Sequence, residues 1–295
     1  MRFTYDLVVA VSAEHVGPLR VREKTKTQSK TSLLALTITL LFLACSGANE
    51  ESHQQSQRRY ELAVSLFRQE NQPRAALVEL ERAVRLDADN ADAHLLIGQI
   101  YGGAAMYSRA EAPLRRAVEL LRVEAEEDPS RRAAHGEARN SLAAVLINLE
   151  RPAEALPILL ELTRDVYYPQ PHLALANLGL AYLALRQYTD AARQLERSVI
   201  NRPDFCVGHY RLGEAFIRLN DDVHAIASLD RALGSNAQGC NLLQGAWRLR
   251  GEANARQHHT DEARNDFTRC RELAVDSEDG RACAAALRSV EAPAP

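Results

Sequence analysis

Three stretches decide how this chain folds: "HLLIGQIYGGAAMYSRAEAPLRRAVEL" (94–120), "LALANLGLAYLALRQYTDAARQLERSVINRP" (173–203) and "VGHYRLGEAFIRLNDDVHAIASLDRAL" (207–233). Their small residues align. Gly98, Ala110 and Ala117 correspond to Gly179, Ala191 and Ser198, and to Gly213, Ala225 and Ala232, at steps of 12 and 7. Large residues align too. Tyr101, Tyr182 and Phe216 follow the glycine by three, and Leu114, Leu195 and Leu229 follow it by sixteen. Gly179 and Gly213 are 34 residues apart. Agreement at this many fixed offsets marks an internal repeat.

Ala, Leu, Arg and Glu, all good helix formers, dominate the chain beyond residue 50. Runs of Val, Ile and Thr at period two are absent there, so the class is all-α. The 34-residue unit resembles the tetratricopeptide repeat, a helix–turn–helix. Helix A needs a small residue at position 8 so that helix B can approach it, and helix B needs small residues at positions 20 and 27. Three weaker copies share this register. Residues 139–162 keep Ala143 and Ala155, residues 247–270 keep Trp247, Gly251, Ala263 and Phe267, and residues 60–86 keep Ala76 and Ala83 with one extra turn residue. The expected architecture is a right-handed solenoid of about six repeats over 57–275. The second helix of repeat 2 is prolonged through "VELLRVEAEEDPS". A capping helix at 276–290, opened by Ser277, covers the last repeat as a solenoid end requires, and 291–295 form a flexible tail.

The register gives the cysteines meaning. Cys206 opens helix A of repeat 5 and Cys240 precedes helix A of repeat 6, on the same edge. Cys270 ends helix B of repeat 6 and Cys283 lies on the capping helix. The expected disulfides are Cys206–Cys240 and Cys270–Cys283, each contributing on the order of 3 kcal/mol. Four cysteines with no CxxC or Cys/His spacing argue for bridges in an exported chain rather than for zinc.

Export is read from the N-terminus. "RVREKTKTQSK" (20–30) is basic, Ser32–Ala44 contain only hydroxyl or apolar side chains, and Cys45 follows. The run is shorter than the ~20 residues of a spanning helix. It has the order of a signal peptide, expected over 1–44, and "FLAC" resembles a bacterial lipobox with Phe42 in place of the usual Leu. Cys45 is then the lipidation site, a membrane anchor through acyl chains, and 45–56 is a lipidated linker. The basic region lies far from Met1, so residues 1–20 read as a mis-assigned start, with Val21 as the alternative. Beyond residue 44 the chain has 30 Arg and 36 acids. A net-acidic chain without a basic tract argues against nucleic-acid binding.

No nucleophile–base pair, phosphate-cradling loop or metal-ligand spacing stands out, so neither catalysis nor a cofactor is expected. His258 and His259 fall in a turn, and His94 and His209 fall at a packing position of their repeats. What remains is a groove lined by helix A positions 2, 5, 9 and 12. Repeat 1 offers Tyr60, Val64 and Phe67, and repeat 2 offers Leu95 and Gln99. Asn140 and Ile147 come from repeat 3; Leu173, Leu180 and Leu183 come from repeat 4. Val207, Tyr210, Glu214 and Ile217 come from repeat 5, with Arg248 and Glu252 beyond them. Such a groove suits a partner segment with bulky apolar side chains.

A lipobox cysteine followed by six such repeats is similar to the Tgl and PilF/PilW lipoproteins, the pilotins of type IV pili. The stretches "RPDFCVGHYRLGEAF", "AWRLRGEANAR" and "DFTRCRELAVDSEDGRACAAAL" look closest to the Tgl branch. The resemblance implies an anchored protein on the periplasmic face of the outer membrane, with secretin subunits as protein partners; a monomer is expected because solenoids act readily as monomers. Ser46, not Asp, follows the cysteine, in keeping with outer-membrane sorting. A scaffold for cell-wall enzymes is the competing expectation.

Overall fold

The computed structural model describes residues 33–235, 237 and 239–291, with side chains described from residue 50 to 290. Thirteen α-helices and no β-strand are found among them. Consecutive helices pack as pairs: α1 (Leu33–Arg68) with α2 (Pro73–Leu86), α3 (Ala91–Gly103) with α4 (Tyr107–Glu127), and α5 (Arg132–Asn148) with α6 (Pro152–Leu162). Next come α7 (Pro171–Ala184) with α8 (Tyr188–Asn201), α9 (Cys206–Arg218) with α10 (Asp222–Gly234), and α11 (Gln244–Arg256) with α12 (Thr260–Leu273). The helix α13 (Glu278–Glu291) closes the series against α12 and α11.

The helices gather into two compact units, divided between Pro129 and Ser130. The first holds α1–α4, where α2 also packs on α3. The second holds α5–α13, where α6, α8 and α10 each pack on the helix after them and α5, α7, α9, α11 and α13 lie side by side. The division falls just after α4, the prolonged helix of repeat 2.

Helix pairing rests on the missing side chain at position 8. A Cβ on Gly179 or Gly213 would stand 2.5 Å from the Cγ of Leu195 or Leu229, inside contact distance. At Gly98 the obstacle is Leu114, and at Gly251 it is Phe267, each sixteen residues on. Repeat 3 has Ala143 there, over Leu159, both without exposed surface. The leucine that drives into the partner helix and the glycine that admits it are therefore one feature of the fold.

The turn from helix A to helix B has a second shared device. Asn71, Ala105, Glu150, Arg186, Asn220 and His258, one per repeat, are left-handed, with φ between 51° and 61°. The residue after each donates its N–H five residues back in repeats 2 to 6, as from Met106 to Tyr101 O (2.8 Å) and from Asp221 to Phe216 O (3.0 Å). This is the bonding that satisfies helix-end carbonyls when a chain turns back sharply. In repeat 1, Gln72 reaches six back to Leu66 O (2.8 Å), which absorbs the extra turn residue. The helices that follow open on Pro73 and Pro152 in two cases, and α7, a helix A, opens likewise on Pro171, where a missing N–H costs nothing. Asn90 and Asp221 cap α3 and α10 through their side chains.

Both expected disulfides are formed, Cys206–Cys240 across 34 residues and Cys270–Cys283 across 13. Ser277 accepts from the Gly280 N–H at 2.9 Å, so the capping helix starts as its sequence suggests. The expected linker is different. α1 runs unbroken through 45–56, and Ser56 is fully buried, donating to Ala83 O (2.9 Å) and accepting from Asn90 Nδ2 (2.9 Å). Repeat 1 thus begins a turn earlier, because a small hydroxyl can enter the seam between α1, α2 and the start of α3. The signal segment, the start at Val21 and the 291–295 tail fall largely or wholly outside the described residues, and the Cys45 side chain is outside them too. Among the described residues no helix is long and apolar enough to cross a membrane.

Two substitutions should move stability in opposite directions. Ala105→Gly removes a Cβ from a left-handed position at φ 56° and should stabilise the first unit by up to about 1 kcal/mol, part of the relief being offset by added unfolded-state freedom. Gly213→Val should destabilise the second unit by about 1–3 kcal/mol, the range for overpacking. Denaturant titration of each variant measures both.

Candidate functional site

The inner positions of the A helices fall into two groups. Leu95, Gln99, Asn140, Ile147, Leu173, Leu180 and Leu183 are all buried. They have little surface to offer a partner. Their neighbours explain it: position 9 of repeat 3 is Ala144 and position 5 of repeat 4 is Ala176, both buried, and such small residues let α5 and α7 close over the bulky ones. Asn140 accepts from Asn177 Nδ2 at 2.9 Å inside this seam. That bond satisfies two amides that burial would otherwise penalise.

Tyr60, Val64, Phe67, Val207, Tyr210, Glu214 and Ile217 remain half-buried. The first three border the core of the first unit beside Tyr101. The other four lie on α9, where the second unit opens toward α11 and α13. Here the face is mixed rather than apolar. Arg211 stacks on Tyr210 with its guanidinium carbon 4.6 Å from the ring centroid and pairs with Glu214 at 2.9 Å. Tyr210 lies over Gly245, where any Cβ would strike its hydroxyl, and burial pushes its phenol above the ordinary range. Arg248 bonds Glu252 on its own helix and Asp279 on α13. Burial works against its charge, but the two carboxylates outweigh that and hold its pKa above the usual value.

Asp279 was not among the residues expected here. It stands 34 residues after Gly245, at position 2 of what amounts to a seventh helix A. The repeat register reaches it only if the capping helix is read as another A helix.

A second recurrence concerns position 4. The ring nitrogen Nε2 of His94 meets Ala88 O, Nε2 of His209 meets Pro203 O, and Nε1 of Trp247 meets Asn241 O, each at 3.0 Å and each six residues back. A carbonyl can only accept, so each ring donates and pins the loop that enters its helix. This is what the packing expected of His94 and His209 amounts to. His258 supplies the left-handed turn residue, and His259 lies 3.4 Å from Asn254 Oδ1. Among the described residues no group of three or more His, Cys, Asp or Glu is placed to hold a metal ion.

On the outer side of the second unit Arg250 bridges three helices. It binds Asp266 through two nitrogens (2.6 and 3.0 Å), reaches Asp230 at 2.6 Å and lies 4.8 Å over the Trp247 ring. Arg256 clamps Asp222 in the same manner. These charges are satisfied internally, so they lock α10, α11 and α12 together rather than wait for a ligand.

The helix pairs, the glycine contacts and the inner face define the class. The chain is folded as tandem tetratricopeptide repeats, which bind protein partners. A profile described as TPR repeat matches residues 65–103, and one described as tetratricopeptide repeat matches 140–204 and, overlapping it, 176–239. Among solved structures the chain is similar to PilW, a widely conserved type IV pilus biogenesis factor. The TM-score is 0.63 at 20% identity, covering 78% of this chain and 98% of that one. It is similar also to Pseudomonas aeruginosa PilF, with TM-score 0.60 at 19% identity, covering 81% and 99%. Among curated proteins it is 24% identical to the BBSome complex member BBS4 homolog of Drosophila melanogaster, over an alignment 278 positions long that covers 78% of this chain and 57% of that protein. It is 30% identical over 77 residues to the Hsp70-Hsp90 organizing protein of Triticum aestivum, 13% of that protein's length. The chain therefore spans less than two thirds of either curated relative.

Acid should loosen the second unit first at His209. The residue is 3% exposed, and Nδ1 has no hydrogen-bond partner among the described residues. Burial holds its pKa below the ordinary histidine value, as it does for His172. The unfolded chain therefore takes up protons below about pH 6.5 that the folded chain refuses. Stability is full above that pH and falls as pH drops toward the lowered folded values. Asp222, whose pKa its bond to Arg256 lowers, adds a loss only near and below the ordinary carboxylate range. Thermal melts at pH 7.5 and 5.5 should show a drop in Tm that is smaller in His209→Gln, which keeps a donor for Pro203 O without titrating.

Proposed function

We propose that this chain is a pilotin, an acylated lipoprotein on the periplasmic face of the outer membrane that binds secretin subunits and promotes their assembly into the channel of type IV pili. One observation carries the reading. The repeats match PilW and PilF over 98% and 99% of those chains, and in this sequence they follow a lipobox-like "FLAC" ending at Cys45. PilW is a type IV pilus biogenesis factor, which supports a pilus role here; the secretin partner is what the resemblance to the Tgl and PilF/PilW lipoproteins implies.

The physical logic is one of local concentration. An acyl anchor confines the repeats to the membrane where the channel assembles, and confinement turns a weak encounter into an effectively intramolecular one. A triacylated cysteine holds stably where a single chain does not. The half-buried face around Tyr210, Glu214 and Ile217, with Val207 at its edge, is the surface offered to the subunit.

The test is a blot for the heat-resistant secretin multimer in cells lacking the gene and in cells carrying Cys45→Ala. The expected result is loss of multimer in the deletion with monomer still made, and a marked reduction in Cys45→Ala. Normal multimers in the deletion would overturn the proposal in favour of a scaffold for cell-wall enzymes.

A further inference from the structure

One edge of the second unit carries a row of apolar side chains that the helix pairing does not use. Four connections join a helix B to the next helix A there: α6 to α7, α8 to α9, α10 to α11 and α12 to α13. They hold Val166 and Tyr167, then Ile200 at the end of α8, then Leu242, then Val275. All five are between 57% and 87% exposed. Among the described residues of this unit, the other exposed large apolar side chains, Leu219 and Val223, belong to a single turn on the opposite edge.

The connections form a continuous line. The His172 and Phe205 rings meet edge-on at 5.3 Å, linking the first to the second. The Cys206–Cys240 bridge and the Ser235 hydroxyl, 3.3 Å from Asp204 O, link the second to the third. Gln244 donates to Ala274 O at 3.0 Å, linking the third to the fourth. Isolated exposed apolar residues need no explanation, but a contiguous set marks a protein or membrane contact.

We propose that this edge rests on the surface of a phospholipid bilayer. Three observations favour lipid over a protein. The exposed side chains stand on three connections and on the last turn of α8, along an edge rather than on the inner face, and a bilayer readily deforms around separate protrusions of this kind. The edge carries little net charge: Arg164 is followed by Asp165, Arg202 pairs with Asp204 at 3.2 Å, and Asp276 adds a single acid, so charge does little to select an oppositely charged protein face or to repel a membrane. Tyr167 lies under the Arg132 guanidinium, 4.4 Å from ring centroid to carbon, and ring-plus-cation pairs of this kind suit the boundary between headgroups and acyl chains.

The anchor makes a weak contact sufficient. α1 is unbroken from Cys45 to Ser56, a distance of about 16 Å at the helical rise, so the first unit begins close to the bilayer, and covalent linkage to it raises the effective concentration of lipid for the second unit. This part of the argument rests on acylation of Cys45, and the experiment separates the two.

The acylated protein isolated from cells is bound to vesicles of phosphatidylethanolamine and phosphatidylglycerol, and its amide hydrogen exchange is compared with that of the Cys45→Ala chain in lipid-free buffer. Exchange is expected to slow several-fold at 163–170, 200–205, 239–243 and 274–277, with no change at the opposite turns 149–151, 185–187, 219–221 and 257–259. The double variant Ile200→Asp, Leu242→Asp should lose the slowing while melting as before. Equal slowing on both edges, or none in protein that floats with the vesicles, would overturn the proposal. So would slowing that appears without lipid and grows with protein concentration, which identifies a second copy as the occupant. If the wild-type protein fails to float, it is the acyl anchor that fails, and the Cys45→Ala chain with saturating vesicles then decides the edge by the same comparison.

Discussion

The fold depends on one steric arrangement, a large residue of helix B, most often leucine, driven into the gap left by a glycine or alanine on helix A. At Gly179 and Gly213 there is no room for even a methyl group beneath Leu195 and Leu229. Closing this gap fixes the distance between paired helices and so the depth at which the other side chains meet. With the pair set, the turn between its helices has few solutions, and six residues of varied type are drawn into the same left-handed conformation. The cost of that conformation at Ala105, Glu150 or Arg186 is tolerated because the pairing determines it.

The second tier of order is carried by polar groups that bind loops and neighbouring pairs. Rings at position 4 donate to the carbonyl six residues earlier in repeats 2, 5 and 6. Asn140 and Asn177 bond across the seam between α5 and α7, and Arg250 and Arg256 clamp carboxylates on adjoining helices. Two disulfides fasten the last repeats and the capping helix. Toward the C-terminal end of the second unit, cross-links and bonded charges thus stand around an inner face that stays partly open. A face held in this way binds without having to be ordered first, which lowers the cost of association.

Burial on the inner face shows how a repeat can mislead. Position alone suggested that Leu173, Leu180 and Leu183 would line a groove. Ala144 and Ala176 instead allow the A helices to close, and the leucines become core. Where bulky Tyr210 and charged Glu214 hold those positions, the face stays open. The identity of the neighbour across the seam, not that of the residue itself, decides which side a leucine serves.

The sequence by itself determined the helical class, the 34-residue register, the six helix pairs, the prolonged helix of repeat 2, the Ser277 cap and the two cysteine pairs. All of these follow from spacing along one chain, where steric need repeats at fixed offsets. It did not determine that Ser56 enters the first seam and extends α1, that Asp279 completes the Arg248 cluster, that the helices gather into two units, or which inner residues keep their surface. Those depend on contacts between residues about a repeat apart or more, whose geometry is set only once neighbouring helix pairs have packed.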